Sequence, residues 1–113
     1  MKTIQVDFEI DISDSTTVSD PLTVPDGYEL VGLFAPVCTG TALTMTAAKT
    51  LTGTYVVVAN AANTAISHTI SATAHYIALD PLLYRGLQFL KVVSGTAELA
   101  DRVFTAVFQK RAT

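Results

Sequence analysis

Apolar and polar residues alternate without interruption from Ile4 to Ile12. Ile4, Val6, Phe8, Ile10 and Ile12 fall on one side, and Gln5, Asp7, Glu9 and Asp11 on the other. A two-residue repeat is the period of a strand whose successive side chains point to opposite faces, so this stretch predicts a half-buried β-strand over residues 2–12. "SDSTTVSDP" follows as turn chemistry, with a short strand expected near Val18. Pro25 ahead of Asp26-Gly27 sets a turn, a fixed φ followed by residues that tolerate positive φ. Further strands are predicted at about Tyr28–Ala35, Ala42–Ala47, Thr54–Ala59, Ile66–Ile70, His75–Leu79, Leu87–Val93 and Val103–Lys110, separated by Gly, Asn, Ser, Thr and Pro. "YVVVA" is apolar on both faces, which places it at a sheet centre or an interface. Phe8, Phe34, Phe89, Phe104 and Phe108 sit within strand patterns and are expected in the core, leaving Tyr28, Tyr55, Tyr76 and Tyr84 as contact aromatics. No segment of ten residues has a helical period. "DPLLYRG" predicts a single turn, with Pro81 at its first position and Gly86 ending it. Eight or nine short strands in 113 residues predict one domain over residues 1–113, an all-β antiparallel β-sandwich that is jelly-roll-like.

Composition changes this picture in one respect. Half the residues are apolar and only 15% are charged, against roughly a quarter in ordinary soluble domains. Between Glu29 and Asp80 the only formal charge is Lys49. A free surface normally carries mixed charges, so this segment is expected to meet protein over much of its outer face. The remaining charges are segregated. Asp7, Glu9, Asp11, Asp14, Asp20, Asp26 and Glu29 face Lys2 alone in the first thirty residues, while Arg85, Lys91, Arg102, Lys110 and Arg111 gather near the other end. Opposite-sign ends can steer one subunit onto another. A net charge of −3 argues against a nucleic-acid partner, which requires a basic face. No run of 18 apolar residues suggests a membrane span, and Met1-Lys2-Thr3 leads directly into charged alternation, so synthesis in a cytoplasm is expected.

The search for chemistry returns little. Cys38 is the one cysteine, which excludes an internal disulfide, and no basic neighbour in sequence lowers its pKa. His68 and His75 stand on different strands without a third ligand or a general base nearby, so both read as structural. Asp7, Glu9 and Asp11 recur about 6.6 Å apart by strand rise. A flat strand face offers no loop carbonyls to complete a calcium shell, and the three acids read as a charged edge that discourages unwanted pairing. "SGTAELADR" has one Gly, no Lys and no following helix, so Ser94-Gly95-Thr96 is a strand end entering a turn rather than a phosphate loop. No Gly-x-Ser-x-Gly occurs. No catalytic, cofactor-binding or metal-binding residue is assigned, and an enzyme is not expected.

One stretch carries a family resemblance. "YIALDPLLYRGLQFLKVVSGT" followed by "ADR" and a last strand ending in basic residues resembles a group of small virion proteins of tailed bacteriophages and gene transfer agents. The matching positions are Ile77, Leu79, Asp80, Pro81, Gly86, Phe89, Lys91, Ser94, Gly95, Thr96, Ala100, Asp101 and Arg102. Upstream, "VPDGYELVGLFAP" and "TALTMTAA" stand where that family has a strand, a proline-bearing turn and a further strand. The likeness covers roughly residues 22–113. It lacks the family's polar hairpin after Met45, has a short loop before Ala100, and adds an acidic first strand of its own. The resemblance implies a non-enzymatic β-sandwich, a decoration or cement protein on the outer head surface of a virion assembled in a host cytoplasm. The implied partners are the major capsid protein and copies of the chain itself, with a trimer favoured. Asp7, Glu9, Asp11, Arg85, Lys110 and Arg111 are the candidate assembly contacts. Two alternatives remain: a carbohydrate- or receptor-binding β-sandwich module, suggested by the tyrosines, and a tail-tube or tail-completion protein.

Overall fold

The structure, a computed structural model, describes residues 3–111 and the side chains of residues 3–110. Its strands are β1 (Thr3–Ile12), β2 (Leu22–Thr23), β3 (Glu29–Ala35), β4 (Ala42–Ala48), β5 (Val56–Val57), β6 (Ser67–Thr69), β7 (His75–Ala78), β8 (Phe89–Ser94) and β9 (Arg102–Arg111). A first sheet runs β1-β9-β3-β7. A second runs β2-β8-β4-β5, with β6 pairing the other half of β4. Every pairing is antiparallel. Apart from the β4–β5–β6 excursion, each connection between successive strands crosses from one sheet to the other, which is jelly-roll topology. The expected all-β sandwich is what the chain forms.

The inward faces interdigitate to make the core. Ile10, Ile12, Leu30, Leu33, Phe104 and Phe108 come from the first sheet, and Leu43, Met45, Leu90 and Val92 from the second. Each such side chain stabilises the fold by about 1.5–3 kcal/mol relative to leaving it in water. Asp80 caps the single 3-10 turn at Pro81–Leu83, its Oδ1 accepting from the Leu82 N–H at 3.0 Å. Gly27 and Gly86 take the positive φ values of 77° and 84° that their turns require.

Three expectations are corrected. Val18 makes only an isolated bridge to Val93, while a short β2 that the pattern did not show forms at Leu22–Thr23. Of the two places expected for "YVVVA", the sheet centre is the one overturned: β5 is the edge of the second sheet, with Val56 62% exposed. The phenylalanines also divide. Phe104 and Phe108 are buried, Phe89 is half-buried, and Phe8 and Phe34 are exposed. For Phe34 the cause is a register shift. The β3–β9 pairing slips between Leu30 and Gly32, so Leu33 and Ala35 turn inward and Phe34 turns out. Phe8 lies on edge strand β1, its ring edge-on to that of Phe108 with centroids 5.9 Å apart.

Candidate assembly surfaces and the buried Glu98 junction

The outer face of the first sheet is built in rows by strand register. Glu9, Thr105, Phe34 and Tyr76 lie side by side across its four strands, and Asp7, Val107, Gly32 and Ala78 form the adjacent row. Phe34 and Tyr76 are 50% and 46% exposed, and their ring centroids stand 4.6 Å apart at an inclination of 52°. The Tyr76 ring leans over Gly32, where a Cβ would lie 1.7 Å from the phenolic oxygen. Glycine is therefore what lets the ring lie flat on the sheet. Val103 adds a further exposed apolar side chain, and Asp7, Glu9 and Asp11 stand exposed along the flanking strand β1. The result is an aromatic ridge with an acidic border.

The opposite outer face differs in character. In the strands of the second sheet the only charge is Lys91. It points outward between the buried Leu90 and Val92, in one row with Thr46 and Val57. Its Nζ lies 4.4 Å from the Tyr55 ring centroid, a cation–π contact that leaves the ammonium at the surface. Thr46 Oγ1 is buried on this face without a hydrogen-bond partner among the described residues. Val57, Val18 and Leu51 are exposed around it, and Lys49 stands exposed where β4 ends.

At one end of the sandwich Glu98 is fully buried in the loop between β8 and β9. Its Oε1 accepts from the Thr39 N–H at 2.7 Å and from Arg102 Nε at 2.9 Å. Its Oε2 accepts from the Gly40 N–H at 2.9 Å and lies 2.8 Å from Ser94 Oγ. Burial pushes this carboxyl up, but the four donors outweigh burial and hold it below the ordinary carboxylate value. The Glu98 backbone exchanges hydrogen bonds with Ser15 and Thr16, and Asp101 accepts from the Asp14 N–H at 2.8 Å. Three connections, β1–β2, β3–β4 and β8–β9, are thus locked together. "SGTAELADR" is structural, with Ser94, Glu98, Asp101 and Arg102 as its working residues. Sequence reading did not single out Glu98, because its two backbone donors, Thr39 and Gly40, are some sixty residues away in the chain.

The candidate contacts do not converge. Asp7, Glu9 and Asp11 share the first sheet's outer face, whereas Arg85 pairs with Glu29 at 3.0 Å in the turn after the 3-10 helix. Lys110 lies on the other side of its strand, 4.8 Å from the Tyr28 ring centroid. The Arg111 side chain falls outside the described residues. Of the four tyrosines only Tyr76 is exposed; Tyr84 is buried and meets His68 Nε2 through its hydroxyl. Burial pushes the Tyr84 phenol up to about 12 and lowers His68. His75 directs both ring nitrogens at carbonyls, those of Thr73 and Thr69. Cys38 is buried, and burial raises its thiol. Two open grooves, of about 610 Å³ beside the Arg85–Glu29 pair and about 760 Å³ beside Lys49, hold no buried titratable side chain among their lining residues. Among the described residues no three His, Cys, Asp or Glu side chains gather as a metal-ligand set.

No protein-family model matches the sequence, and no curated protein matches it. Among solved structures, the chain is similar to one from Bacillus endospore appendages, described as a novel family of disulfide-linked pili. The two are 14% identical with a TM-score of 0.50, over 98% of this chain and 89% of that one. A virus-like particle of the extra small virus of the giant freshwater prawn Macrobrachium rosenbergii also matches, at 16% identity over 100% of this chain and 82% of that one. Its TM-score of 0.35 is below what a shared fold requires. The first likeness concerns the fold alone.

Proposed function

We propose that this chain is a non-enzymatic structural component of an assembled particle of the virion type and, within that class, a decoration protein bound to the outer surface of a head. The observation that carries the reading is where its uncharged segment lies. Phe34, Val37, Leu51, Val56, Val57 and Tyr76 are all exposed, and all belong to the fifty residues in which Lys49 is the only charge. Interface centres are depleted of charge in this way, with aromatics enriched. A jelly roll whose two outer faces meet neighbours gains avidity from several contacts at once and needs no catalytic group. The spore-appendage protein of similar fold also works in an assembly. This chain's one cysteine is buried, so the disulfide linkage of that appendage has no surface thiol to use here.

The test is addition of the purified protein to expanded heads of the phage or transfer agent whose genome encodes it. Saturable co-sedimentation and a higher temperature of head disruption are expected. Absence of both overturns the reading.

A glycan- or receptor-binding role is favoured by one observation, the Phe34–Tyr76 pair in one row with Glu9 across Thr105, because sugars stack on aromatics and hydrogen-bond to carboxylates. The inclined rings make a ridge rather than a platform. Polysaccharide binding that is abolished by Tyr76→Ala, with no affinity for heads, would establish this role instead.

A further inference from the structure

The two outer faces of the sandwich point in opposite directions and carry opposite charge. On the first, Asp7, Glu9 and Asp11 border the ridge of Val103, Thr105, Phe34 and Tyr76, with no basic side chain described among the outward residues of its strands. On the second, Lys91 stands among Thr44, Thr46, Val57 and Val93 with no acidic residue in any strand, and Lys49 lies beyond the end of β4. We propose that copies of this chain stack head to tail, the outer face of the first sheet of one copy packing on the outer face of the second sheet of the next.

The charges match the anatomy of an interface. The carboxylates lie on edge strand β1, at the rim, where a pair with Lys91 or Lys49 stays partly solvated and avoids the desolvation penalty of a buried ion pair. The centre of the contact is apolar on one side and Thr/Val-rich on the other, and two sheets of this kind pack about 10 Å apart. A symmetric contact is disfavoured for either face. Two copies of the first sheet would set Asp7, Glu9 and Asp11 against the same acids, and two copies of the second would oppose lysines. Because the faces used are different, the contact is heterologous: it closes into a ring if each step carries a suitable rotation and otherwise extends into a stack. This inference rests on the reading of the chain as a particle component and specifies which of its surfaces its own copies use.

A charge swap tests it. Sedimentation velocity is run across concentration on the wild type, on D7K/E9K, on K49E/K91E and on an equimolar mixture of the two variants. Circular dichroism melting confirms that each variant folds. The wild type is expected to associate as concentration rises, each variant alone to lose at least tenfold in association constant, and the mixture to regain it, since a contact between the two different variants is again between opposite charges. Phe34→Asp, in the middle of the face, is expected to abolish association while leaving the melt unchanged. A wild type that stays monomeric at every concentration overturns the proposal, as do variants that associate like the wild type or a mixture no better than its components. A monomeric protein that still binds heads removes this contact and leaves the particle reading. A protein that stacks but ignores heads does the reverse.

Discussion

Replacing Glu98 by glutamine is expected to destabilise the fold by about 2–4 kcal/mol, through a mechanism that can be followed donor by donor. With its amide oxygen at the Oε1 position, the side chain still accepts from the Thr39 N–H and Arg102 Nε. The amide NH2 then replaces Oε2. Ser94 Oγ can turn to accept from it, but the Gly40 N–H faces a donor and is left unpaired, at a cost of about 1–3 kcal/mol. Arg102, only 18% exposed at its side chain, also loses its counter-charge, and charge-assisted bonds are roughly twice as strong as neutral ones. Glu98→Ala removes all four acceptor contacts and belongs with broken buried pairs at about 3–5 kcal/mol, a large part of the ~5–15 kcal/mol that holds a domain together. Urea unfolding at pH 7 reads both values, and at about 4 °C per kcal/mol the melting temperature of E98Q falls by on the order of 10 °C. The pH dependence gives a second check. Because the folded carboxyl lies below its ordinary value of 4.5, its contribution is fully present above that value and is lost as pH falls through the folded one. The gap between wild type and E98Q therefore closes in acid, where a protonated Glu98 resembles glutamine. An E98Q protein within about 0.5 kcal/mol of wild type at pH 7, or a gap that persists in acid, refutes the argument.

Three further outcomes follow from the same geometry. Gly32→Ala drives a methyl into Tyr76 and costs about 1–3 kcal/mol by urea titration, and most of that loss disappears when Tyr76→Ala is already present. His68, lowered by burial, adds stability that is present above pH 6.5 and is lost as pH falls through its folded value. His68→Phe removes the slope within that window, below pH 6.5, as thermal melts across pH would show. Cys38, buried with a raised thiol, is expected to resist iodoacetamide in the native protein and to react when urea unfolds it, measured by mass spectrometry.

Much of the architecture was legible because strand alternation is a local property. The alternation of Ile10 and Ile12 against Asp7, Glu9 and Asp11 placed the acids on an outer face, and so the structure has them. The limits lie where one residue changes parity or where partners are distant. In "ELVGLFA" the positions of Leu30, Gly32 and Phe34 suggest one shared face; the slip between Leu30 and Gly32 puts Phe34 on the outside, and only pairing with β9 reveals it. "YVVVA" is equally apolar at a sheet centre and at an exposed edge, so composition does not choose between them. Glu98 looks like any loop acid until the turn at Thr39-Gly40 is folded against it. The sparsely charged middle of the chain was legible in the sequence, and the aromatic ridge was not.

The position of β9 between β1 and β3 has a kinetic consequence. During synthesis β3 can pair with β7 as soon as that strand emerges, yet β1 has no partner and β3 has one bare edge until residues 102–111 have left the ribosome. Until then the first sheet is two separate fragments with bare edges, and such non-local closure is slow. If copies stack as proposed, nascent chains present no finished stacking face, and polymerisation on the ribosome would be barred by the order in which the strands are made.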